Sequence, residues 1–70
     1  MVEVFKTNVQ NKIQAKQVID LLKAAFSGAQ INFDLHDCDK ILRVEGINST
    51  YCQTIVSDLA SMGFKCEILN

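Results

Sequence analysis

Apolar residues recur along this 70-residue chain with two different periods, and the order in which the period changes constrains the fold more than any single residue does. Val2, Val4 and Phe5 make a short β-branched and aromatic run, which predicts a strand from about residue 2 to 6. The polar stretch from Thr7 to Asn11 is rich in helix-capping residues. From Lys12 to Phe26 the spacing becomes helical. Val18, Leu21, Leu22 and Ala25 form one stripe, Ile13 and Phe26 extend it, and Lys12, Lys16, Asp20 and Lys23 fall mainly opposite. Ser27-Gly28 ends the helix, glycine suiting a left-handed position.

Period two then returns twice. Ile31, Phe33 and Leu35 alternate with Asn32, Asp34 and His36, while Leu42 and Val44 alternate with Ile41, Arg43 and Glu45. The polar connection Asp37-Cys38-Asp39-Lys40 makes the two strands a hairpin. A second helical stripe runs through Cys52, Ile55, Val56, Leu59 and Met62. Ser49 or Thr50 is its expected cap, with Gln53 in capping-box register to Thr50, and Gly63 its stop. Phe64, Cys66 and Ile68 alternate as a last strand.

The order β-α-β-β-α-β fits an α+β domain of ferredoxin-like βαββαβ type. Right-handed crossovers give a four-stranded antiparallel sheet with two helices on one face, and the first, third and fourth strands are neighbours. Residues 1–70 read as a single domain: 49% are hydrophobic, 21% are charged, and proline is absent. The net charge is −1 and seven basic residues are scattered from Lys6 to Lys65, which argues against nucleic acid as a partner. No run approaches the roughly 20 apolar residues of a membrane span. The first residues lack a basic leader followed by an apolar core, so no secretory signal is expected. Cys38, Cys52 and Cys66 are odd in number and form no CxxC, which fits reduced thiols and a cytoplasmic location.

Over nearly its full length the chain resembles heavy-metal-associated domains of the copper-chaperone type. Ile31-Asn32-Phe33-Asp34-Leu35 is similar to that family's second strand, Leu42-Arg43-Val44-Glu45-Gly46 to its third strand and following glycine, and Met62-Gly63-Phe64 to the glycine-aromatic pair opening its last strand. The resemblance implies a Met-x-Cys-x-x-Cys loop between the first strand and first helix, whose two thiolates hold copper(I) or zinc. Aligned from residues 31–35, the two cysteine positions fall on Asn11 and Gln14 and the methionine position on Val9. A three-residue shift puts the cysteine positions on Asn8 and Asn11. Either register supplies neutral amides, poor ligands for a soft ion, so transfer of metal through that loop is excluded by residue chemistry and no cofactor is expected.

His36-Asp37-Cys38-Asp39 holds the chain's sole histidine, one thiol and two carboxylates at the hairpin tip. A relocated metal site would use His36 and Cys38 with help from Asp37 or Asp39. Ordinary turn chemistry explains the same residues. Cys52 and Cys66 lie in phase with apolar residues and read as core packing. Cys38 as a nucleophile lacks an oxyanion-hole or substrate-pocket motif, so no enzyme is expected. If Val4, Leu42, Phe64 and Ile68 face the helices, then Phe5, Ile41 and Leu69 form an apolar patch on the open sheet face. That patch would suit a homodimer or another protein partner. These features describe a non-enzymatic interaction module, with metal binding through the hairpin as the alternative.

Overall fold

A computed structural model describes residues 2–69. β1 (Val2–Thr7) runs antiparallel between β3 (Ile41–Glu45) and β4 (Cys66–Ile68), and β2 (Gln30–Asp34) pairs with the other side of β3. The sheet order is therefore β2-β3-β1-β4. α1 (Lys12–Ala25) packs chiefly on β2, and α2 (Cys52–Ser61) on β4. Ala15, Val18 and Leu22 of α1 and Ile55 and Leu59 of α2 share one core with Phe5, Ile31, Leu42 and Val44 of the sheet. Among the described residues no helix is long and apolar enough to cross a membrane.

The register fixes which side chains meet this core. Phe5 stands opposite Leu42 on one side and Ile68 on the other, and it is fully buried. This corrects the expected phase of β1: Glu3, Phe5 and Thr7 face the helices, whereas Val2, Val4 and Lys6 face away. A phenyl ring buries more apolar surface than a valine, and that gain favours placing Phe5 inside. The two polar residues carried in with it are accommodated. Cys52 Sγ donates to Glu3 Oε1 at 3.2 Å, and Thr7 Oγ1 donates to the Lys40 carbonyl at 2.7 Å.

The helices differ from the sequence expectation at two points, the width of the α1 stripe and the cap of the second helix, while Gly63 ends α2 as expected. Ile13 is 74% exposed and Leu21 is exposed, so the buried stripe of α1 is narrower than its apolar pattern. The second helix opens with a single 3-10 turn (Ser49–Tyr51) capped by Asn48, whose Oδ1 accepts from Thr50 N–H at 3.0 Å; neither Ser49 nor Thr50 is the cap. α2 closes with two bonds, Gly63 N–H to Ala60 C=O at 3.0 Å and Phe64 N–H to Leu59 C=O at 2.9 Å. This paired closure requires a left-handed residue, and Gly63 supplies φ 90°. Leu35 and Phe64 lie just outside the regular strands while still packing on the core.

Candidate functional site

Two loops meet at one end of the sheet, residues 8–11 between β1 and α1 and residues 35–40 between β2 and β3. Thr7 joins them, its N–H donating to the Asp39 carbonyl at 3.1 Å and its hydroxyl to Lys40. A crevice of about 310 Å³ lies between them, lined by Thr7, Asn8, Gln10, Cys38 and Lys40.

The positions that the family resemblance assigns to ligands are occupied by residues holding the backbone. Asn11 is the N-cap of α1: its Oδ1 accepts from Gln14 N–H at 2.9 Å. Gln14 Oε1 in turn accepts from Gln10 N–H at 2.9 Å. Together they make a reciprocal capping arrangement, displaced by one residue from the usual box. Asn8 Oδ1 accepts from Lys65 N–H at 2.8 Å and ties the loop to the start of β4. Val9 is fully buried in the core. In both registers, then, the amide oxygens at the cysteine positions already satisfy backbone N–H groups that helix ends and loops leave open.

At the hairpin, one ligand atom from each of Asp37, Cys38 and Asp39 lies within 4.8 Å of the others. His36 is not part of this convergence; it lines a groove beside α1. Two of the three groups are also engaged elsewhere. Asp37 Oδ1 accepts from Asp39 N–H at 2.8 Å, an Asx turn, and Asp39 Oδ1 lies 3.6 Å from Lys6 Nζ. Lys40 closes the loop with φ 49° while its Nζ donates to the Leu35 carbonyl at 3.0 Å. Two oxygens and one exposed thiol suit a weakly held cation rather than a closed tetrahedral centre.

The other two thiols are structural. Burial pushes Cys52 up to about 11, and the hydrogen bond and charge of Glu3 push in the same direction. Burial likewise raises Cys66 to about 11, with a smaller contribution from Cys52. Neither supplies thiolate near neutral pH.

The expected apolar patch on the open sheet face breaks up. Phe5 belongs to the core. Ile41 does face away from the helices, but it is only 7% exposed between Lys6 and Asp34, its cross-strand neighbours. Those neighbours pair with Asp39 (3.6 Å) and Arg43 (4.0 Å), so the isoleucine sits between charged positions rather than in an apolar patch. Leu69 stays exposed beside Val4, to whose carbonyl its N–H donates at 2.9 Å.

One feature had no expectation attached to it. Between α1 and β2 lies a groove of about 400 Å³ with an apolar floor that includes Phe33, Leu35 and Ile19. Its only sequence signal is that Phe33 and Leu35 sit at the end of an edge strand opposite the lysine-bearing side of α1, a juxtaposition that appears once strand order is known. No protein-family model, curated protein or solved structure matches the chain.

Proposed function

We propose that this chain is a non-enzymatic binding module, a ferredoxin-like domain of heavy-metal-associated ancestry whose metal loop has become a structural element. A four-stranded antiparallel sheet with β1 and β3 side by side at its centre supports the fold reading. The observation that carries the function is the reciprocal cap of Asn11 and Gln14, because a loop whose polar atoms hold its own backbone offers neither ligands nor acid-base groups. Burial holds the Cys52 and Cys66 thiols protonated near neutral pH, which supports their reading as core packing rather than reactive groups. Recognition of a partner protein then falls to a surface.

A second reading, a cation held at the hairpin, is favoured by the convergence of Asp37, Cys38 and Asp39. Elemental analysis of the purified, reduced protein separates the two. The binding-module reading predicts no stoichiometric copper or zinc. One equivalent per chain, lost in Cys38→Ser, would replace it with the second reading.

A further inference from the structure

The groove between α1 and β2 differs from the rest of the surface in three respects. Its floor is apolar, formed by Ile19, Phe33 and Leu35, which are only partly buried. Its rim carries Lys12, Lys16 and His36, and among the described residues no carboxylate lines it. It also runs beside β2, an edge strand that pairs with β3 on one side and with no strand on the other among the described residues.

Edge strands are normally guarded against pairing by shortness, proline, or lysines along the edge. β4, the opposite edge, has three residues and is preceded by Lys65. β2 has five residues, Gln-Ile-Asn-Phe-Asp, with neither proline nor lysine, and its aspartate is directed to Arg43. An extended segment added along this edge would find backbone partners, and alternate side chains would reach the groove. The rim selects the charge of that segment. Lys16 is already paired with Asp20 at 3.0 Å, but no ion pair of Lys12 is seen among the described residues. A second copy of this chain paired edge to edge would set one basic rim against another, which disfavours self-association here.

We propose that the α1–β2 groove binds an extended acidic peptide segment that adds to the edge of β2, placing apolar side chains on Phe33 and Leu35 and carboxylates against Lys12 and Lys16. The proposal rests on the binding-module reading and names its surface and partner class.

The test is a ¹⁵N-resolved NMR titration of the full chain with an acetylated, amidated peptide alternating glutamate with valine. The expected shifts concentrate in residues 30–36 and 12–19. Lys12→Glu/Lys16→Glu, checked for retained fold by circular dichroism, should bind about tenfold more weakly, as expected for two exposed ion pairs. A peptide with lysine in place of glutamate should bind no better than that variant. Absence of shifts, shifts on the open sheet face, or insensitivity to charge reversal would overturn the proposal. So would octanoate reproducing the shifts while the peptide leaves them unchanged, or concentration-dependent dimers through β2 in light scattering. Failure of the peptide leaves the binding-module reading standing as long as the same preparation holds no stoichiometric metal; metal uptake removes both.

Discussion

Asn11 and Gln14 hold the start of α1 through a reciprocal pair of side-chain to backbone hydrogen bonds. An amide at the N-cap accepts a helix N–H, and one three residues later reaches back, so both side chains have a structural role. Asn11→Ala should therefore cost about 1 kcal/mol in urea unfolding, whereas Asn11→Asp should retain the cap and add a favourable charge to a first turn that has no acid. Phe5 and Val4 test the corrected phase of β1. Phe5→Ala should cost about 3–5 kcal/mol, a large part of the ~4–10 kcal/mol available to a chain of this size. Val4→Ala should cost about 1 kcal/mol or less. Equal losses at the two positions would contradict the phase.

At the level of elements, most of the secondary structure was legible because helix and strand periods differ and glycines mark the ends. α1 begins at Lys12 as its pattern predicts, and Gly63 closes α2. What stayed hidden had a common cause: adjacent residues competing for one role. In Val2-Glu3-Val4-Phe5 both alternations contain apolar residues, and only the pairing of Phe5 with Leu42 and Ile68 decides between them. In Asn48-Ser49-Thr50 any of the three side chains can cap, and the 3-10 turn moves the cap to the first. The candidate site divided in the same way. That residues 8–14 carry no thiol was readable from residue types, while the groove beside β2 requires an edge strand that only the sheet order reveals. Gly63→Ala tests the helix stop: no atom lies within 4 Å of the added methyl, so the expected loss of about 1 kcal/mol is backbone strain at φ 90° alone.

For the molecule as a whole, the buried thiols predict how stability depends on alkali. The folded chain holds the Cys52 and Cys66 protons more tightly than the unfolded chain, about 11 against 9.0. Their contribution is therefore intact below about pH 9 and is lost as pH rises toward about 11. Urea midpoints should fall across that window, and the fall should be smaller in Cys52→Ala/Cys66→Ala. An equal fall in the double variant would assign the effect to other groups. Under the proposed ancestry, a metal loop has been rebuilt as the helix cap of Asn11 and Gln14 on a ferredoxin-like frame. Calorimetric titration of copper(I) into the reduced wild type and into Asn11→Cys/Gln14→Cys tests it most directly. The wild type should show no stoichiometric binding at this loop, while the double variant, its first thiol at a helix N-terminus that favours thiolate, should gain one ion per chain. A wild type that binds one equivalent through this loop, or a folded double variant that gains none, would contradict the account.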